Sequence, residues 1–141
     1  QVYAHYILAQ AALDRNNFAV AEKEFAIVDE LNTSEWGAES KFQIALIKFN
    51  NKKLDESEAL IYQIPEQYPD QDFWIARGFI LLSDIYVARD NEFQAEQTLI
   101  SVIENYPGDD LKQVANAKLK QLQAGRATTP VEQTEELIDN E

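Results

Sequence analysis

The feature that most constrains this chain is a set of apolar-small doublets that recur at nearly constant intervals. Leu8-Ala9, Ile44-Ala45 and Leu82-Ser83 lie 36 and 38 residues apart. A tryptophan precedes each of the last two doublets by eight residues, and Trp36-Gly37-Ala38 and Trp74-Ile75-Ala76 share a Trp-x-Ala pattern. Self-similarity at this period marks a stacked repeat, in which each unit buries its apolar face against its neighbours. The small residues have a mechanical reason. Ala9, Ala45 and Ser83 fall in the first helix of each unit, and Ala21, Ser57 and Ala95 in the second. Antiparallel helices approach closely only where a small side chain faces the partner, and packing there sets the interhelix angle.

Helical periodicity fills the intervals. Ala4, Ile7, Leu8, Ala11 and Ala12 form an apolar stripe, Arg15-Asn16-Asn17 interrupts it, and Phe18, Ala21, Phe25, Val28 and Leu31 form a second. Asn32-Thr33-Ser34 is a break that offers a cap. A third helix is predicted over about Glu35–Phe49, with its turn at Asn50-Asn51-Lys52-Lys53. A fourth carries Leu54, Ser57, Ile61 and Ile64, and Pro65 should terminate or kink it. A fifth spans about Asp72–Arg89 with a turn at Asp90-Asn91, and a sixth carries Phe93, Ala95, Leu99, Val102 and Ile103. After Pro107-Gly108-Asp109, a seventh is expected over about Asp110–Leu122, with one solvated face as suits a terminal cap. Residues 124–141 hold five acids against one arginine and few apolar side chains, which predicts a disordered tail. Val131, Leu137 and Ile138 are the residues by which that tail would dock.

The third unit reads Phe79-x2-Leu82-Ser83-x2-Tyr86, then Ala95-x3-Leu99, then Pro107. Unit one keeps the intervals with His5, Leu8, Ala9, Ala12, Ala21, Phe25 and Thr33. Unit two keeps them with Lys41, Ile44, Ala45, Lys48, Ser57, Ile61 and Pro69, placing lysines where aromatics are usual. On these intervals the chain resembles the tetratricopeptide-repeat family over residues 1–123. The Tyr68-Pro69 and Tyr106-Pro107 linkers, and the unit from Phe73 to Pro107, look like the final repeats of large envelope-associated members of that family in Gram-negative bacteria. The resemblance implies an all-α, right-handed α-solenoid of three antiparallel helix pairs plus a C-terminal capping helix. Its units would be residues 1–34, 35–71 and 72–108, with the cap at 109–123. It also implies the bacterial periplasm or envelope as the compartment. The chain has no Met and opens inside a repeat, so it is read as the C-terminal part of a longer array.

Composition narrows the function classes. The formal charge of −13 repels phosphate backbones and anionic headgroups, which argues against nucleic acid and membrane surfaces as partners. No cysteine is present, which excludes disulfides, thiolate zinc sites and thiol catalysis. No apolar run approaches the ~18 residues of a membrane span. A nucleophilic triad needs a base within reach of Ser or Cys, and the single histidine, His5, stands at a helix-pairing position where a packed or half-exposed side chain is expected. Glu22 and Glu24, like Glu56 and Glu58, lie two apart on a helix and point to different sides. The four glycines are scattered and form no phosphate loop. No catalytic, cofactor-binding or metal-binding residues are assigned, and the chain is expected to be non-enzymatic.

In the family, the first helix of each pair lines a concave groove that holds a peptide. Carried across, those positions are Tyr3, Tyr6, Gln10 and Leu13 in unit one, then Glu39, Phe42, Leu46 and Phe49 in unit two. Unit three supplies Arg77, Ile80, Asp84 and Val87. Tyr3, Tyr6 and Phe42 are expected to be exposed in the groove, because amphipathic aromatics suit interfaces. For Leu46, Phe49, Ile80 and Val87, packing between helices is an equal alternative. The family's carboxylate-clamping subtype is argued against, because Tyr6, Gln10, Gln43, Arg77 and Leu81 stand at its positions and only Arg77 is cationic. The resemblance thus implies a scaffold for a protein or peptide partner. The alternative is a structural module that self-assembles through its repeat ends, and the expected state is a monomer or weak homodimer.

Overall fold

The computed structural model describes residues 1–31 and 34–139, with side chains described as far as residue 125. The described residues form seven helices and no strand: α1 (Val2–Asp14), α2 (Phe18–Leu31), α3 (Glu35–Asn50), α4 (Leu54–Gln67), α5 (Asp72–Ala88), α6 (Glu92–Asn105) and α7 (Asp109–Asp139). None of them is long and apolar enough to cross a membrane. The break expected at Asn32-Thr33 lies outside the described residues.

The turn within each helix pair has one geometry. Asn16, Lys52 and Asp90 adopt the left-handed conformation at φ 58°, 63° and 58°. In each case the next residue donates back to the carbonyl five positions earlier: Asn17 to Ala12 at 2.8 Å, Lys53 to Lys48 at 2.9 Å, and Asn91 to Tyr86 at 2.8 Å. This closure satisfies carbonyls that the helix end orphans. Asn and Asp tolerate the left-handed region through local hydrogen bonding, whereas Lys52 adopts it at a steric cost. The three turns recur at the 36- and 38-residue spacing of the sequence doublets. Asn17 and Asn91 then cap the helices that follow, accepting from Val20 N at 3.4 Å and Gln94 N at 3.3 Å. Pro65 sits inside the last turn of α4, which closes two residues later with Tyr68 N donating to Ile64 O at 2.8 Å. It neither ends nor breaks the helix there.

Consecutive helices pack against one another along the whole chain. The six small residues of the doublet register are all buried at the pair interfaces. Ser57 also donates its hydroxyl to Ala45 O at 2.7 Å, so the close approach buries no unmade hydrogen bond at that point. Around these points lie fully buried Phe25, Ile61, Ile64, Leu82 and Leu99, each stabilising by about 1.5–3 kcal/mol through apolar burial. Besides sequential packing, α3 touches α5 and α5 touches α7, while no even-numbered pair packs comparably among the described residues. Odd-numbered helices therefore form an inner layer and even-numbered helices splay outside it, which is the geometry of an α-solenoid.

Two features depart from the sequence reading. Lys41, an apparent defect of the repeat, is buried: it pairs with Asp29 at 2.8 Å and donates to Gln63 Oε1 at 2.8 Å. The helix expected to close near Leu122 continues through Asp139. Ala, Gln, Glu and Leu in that stretch are good helix formers. Val131, Leu137 and Ile138, through which the expected tail would dock, fall outside the described side chains.

Candidate functional site

The inner layer presents α1, α3, α5 and α7, and nine of the twelve positions carried across to the groove divide there into two groups. Phe42 and Leu46 of α3 and Arg77, Ile80 and Asp84 of α5 line one open groove of about 410 Å3, together with Leu81 of α5 and Leu111, Val114 and Lys118 of α7. Tyr3, Tyr6, Gln10 and Glu39 form a separate cluster around Trp36, at the α1 end of the same layer.

In the groove, Phe42 is the main correction to the sequence reading. It is 2% exposed rather than open. Trp74 tilts against it with ring centroids 5.6 Å apart, and the Arg77 guanidinium lies 4.9 Å from the ring centroid. The aromatic ring thus becomes floor, and a cation over its face supplies the charge at the surface. Ile80 is also buried, in the cluster around Leu99 and Leu111, while Leu46 and Phe49 are partly buried against the core shared by α3, α4 and α5. Val87 is exposed and does not line the groove. Across the groove, Asp84 holds Lys118 Nζ at 3.0 and 3.2 Å, tying α5 to α7.

The α1–α3 cluster is more polar. Tyr6 lies parallel to Trp36, with centroids 5.1 Å apart and 10° between planes, and Tyr3 tilts onto the same indole at 5.6 Å. The Tyr6 hydroxyl donates to both oxygens of Glu39 at 2.9 and 3.0 Å, and Gln10 Nε2 donates at 3.1 Å. Burial pushes the Glu39 carboxyl above the ordinary carboxylate range, and the nearby Glu35 adds to that push; the Tyr6 and Gln10 hydrogen bonds oppose it. Burial, then the Glu39 carboxylate, raises the Tyr6 phenol.

Sequence reasoning missed Trp36 and the α7 residues. Trp36 served as a marker of the repeat, and its pairing with two tyrosines of the preceding unit is a contact across 30 or more residues. Leu111, Val114 and Lys118 were assigned to a cap with a solvated face. The signal that places them inside is the alternation of odd and even helices, which α7 continues. His5 is half-buried, its Nδ1 paired with Glu24 Oε2 at 2.5 Å across α1 and α2. Among the described residues, no three His, Cys, Asp or Glu side chains converge as a metal ion requires. A smaller cleft of about 210 Å3 between α5 and the end of α6 is walled by Ile75, Phe79, Val102 and Tyr106, with Asp72, Ser101 and Asn105 among its lining. Neither a scan against protein-family models nor a search of curated proteins gives a match to this chain.

Proposed function

We propose that this chain is a non-catalytic interaction module of the tetratricopeptide type, which holds a segment of another polypeptide on its inner face. The observation that carries the reading is the groove of about 410 Å3 between α3, α5 and α7. Its walls are apolar, and its few polar groups, Arg77 and the Asp84–Lys118 pair, sit where they can orient a ligand. Concave apolar surface with sparse polar groups is what a side-chain-sized ligand requires for affinity and register. The volume suits a few side chains of an extended or helical segment. The repeat type is supported by the sequence intervals and by three identical turns at repeat spacing.

The test is selection of binders from a displayed peptide library, followed by titration against parent and Val114→Glu. Val114 is exposed at the groove, so the substitution should leave the melt intact while weakening selected peptides by about tenfold or more, because a charge then stands on the apolar wall that the ligand must cover. Equal binding to both proteins would remove the groove from consideration.

A second reading is favoured by one observation. Leu8 is 52% exposed, whereas its repeat equivalents Ile44 and Leu82 are 6% and 1% exposed. Ile7, Phe18 and Val20 of the same helix pair are also exposed. This face would seat a second copy of the chain. Light scattering would then exceed the 16.1 kDa monomer mass, and Leu8→Glu would restore it. A monomer at every concentration would end this reading.

A further inference from the structure

Acids that are partly buried in this fold are generally matched by a cation. Asp29 holds Lys41, Glu22 holds Lys48, Glu58 holds Arg89 and Asp84 holds Lys118. Glu39 differs. Its donors are neutral, the Tyr6 hydroxyl and the Gln10 amide, and among the described residues no Lys, Arg or His pairs with it. Glu35, one turn earlier on α3, adds a second acid rather than a counter-charge. The carboxylate holds the hydroxyl of Tyr6, whose ring stacks on Trp36, and the same indole takes Tyr3, which is 61% exposed.

We propose that Tyr3, Tyr6, Trp36 and Glu39 form a subsite for a Lys or Arg side chain of the polypeptide held on the inner face. The proposal rests on the groove reading above and names the chemistry its ligand carries at the α1 end. An aromatic face attracts a cation through its quadrupole, and the attraction grows when water is excluded. A half-buried carboxylate accepts a charge-assisted hydrogen bond from an ammonium or guanidinium, which neutral donors cannot supply. The net charge of −13 draws basic segments to the surface. Arg77, farther along the layer on α5, repels a second cation there. The ligand therefore lies with its cation toward α1 and α3 and its apolar residues toward α5 and α7.

The experiment follows the indole N–H resonance of Trp36, identified by its loss in Trp36→Phe. The full chain is titrated with a capped heptapeptide of Ala and Leu bearing one Arg, and with the same peptide bearing citrulline or Glu instead. The Arg peptide should bind about tenfold more tightly than the citrulline peptide, the combined size of a cation–π contact and a charge-assisted hydrogen bond. Glu39→Gln should shrink that difference severalfold, with the melt retained, leaving only what the rings supply, while Glu104→Gln, an exposed acid on α6, should preserve it. Equal effects of Glu39→Gln and Glu104→Gln would reduce the preference to general charge and overturn the subsite. Should Arg and citrulline peptides bind alike, and both be lost in Val114→Glu, the subsite falls and the groove reading stands. If no peptide binds at all, both fall.

Discussion

Between the first and second helix pairs the joint is tied by polar groups: Asp29 to Lys41, Glu22 to Lys48, and Glu39 to Tyr6 and Gln10. Tyr68 reinforces the first tie, donating its hydroxyl to the Asp29 carbonyl at 2.9 Å and its carboxylate at 2.5 Å. Between the second and third pairs the joint is Ile61, Ile64, Trp74, Leu81, Leu82 and Ile85, with Arg89 bridging Asp55 and Glu58 only at the edge. Both joints obey the same repeat register, yet their energetics differ. Apolar burial stabilises in proportion to area and is indifferent to exact partners. A buried ion pair gives back most of its attraction in desolvation, so it stabilises little in net terms while making the loss of either partner severe. The first joint, which also buries Ala9, Ala12, Phe25, Ile44 and Ile47, is thus specified by partner identity as well as by volume, and the second mainly by volume.

The largest expected effect breaks the polar joint. Lys41→Ala leaves the Asp29 carboxylate partly buried without its cation and takes a donor from Gln63. Destabilisation of about 3–5 kcal/mol is expected in chemical unfolding. Asp29→Leu/Lys41→Met removes both charges, and Tyr68 keeps the backbone carbonyl of residue 29 as an acceptor. That double variant should lie within about 1 kcal/mol of the parent or above it. A double variant as unstable as Lys41→Ala would mean that the joint depends on the charges themselves.

The apolar joint should respond to volume instead. A Cβ built at Gly78 meets Ile64 Cδ1 at 3.3 Å and Ile61 Cγ2 at 3.4 Å. Gly78→Leu adds a full side chain at a contact already tighter than usual, and should destabilise by about 1–3 kcal/mol through overpacking. Thermal unfolding reads the change. An unchanged melt would show that α4 and α5 can separate freely, against the close packing described.

The same division explains what the sequence revealed. The small residues Ala9, Ala45, Ser83, Ala21, Ser57 and Ala95 were legible because a close helix approach demands them locally, and the turns at Asn16, Lys52 and Asp90 because polar runs interrupt apolar stripes. As far as α6, the two helices given bounds, Glu35–Phe49 and Asp72–Arg89, agree with α3 and α5 to within a residue, and the other stripes fall inside α1, α2, α4 and α6. Lys41 read as a defect because its meaning depends on Asp29, on a different helix. Phe42 read as exposed because amphipathic position alone does not tell that Trp74 and Arg77 will cover it. The site was therefore legible as a set of inner-layer positions, and its split into an apolar groove and an aromatic-acid cluster was not. That split is decided by contacts between units, which no single periodicity encodes.

The smallest expected effect sharpens the polar joint at its third tie. The Glu39 carboxyl is raised above its ordinary value of 4.5, chiefly by burial. A raised carboxyl means that the folded state holds a proton which the unfolded chain has already released. In the window just above pH 4.5, folding therefore binds protons, and stability is lost as pH rises through the folded-state value. Below that window the contribution is fully present, and above it the charged form is partly desolvated without a cation. Glu39→Gln keeps an acceptor for the Tyr6 hydroxyl and cannot ionise, so its stability should not fall across this window. Relative to the parent, the variant should gain melting temperature as pH rises from 4 toward 7, with parallel curves outside the window. Parallel curves throughout would show that Glu39 is as well solvated folded as unfolded. The α1–α3 tie would then count as a surface contact, and only the Asp29–Lys41 and Glu22–Lys48 pairs would distinguish the first joint from the second.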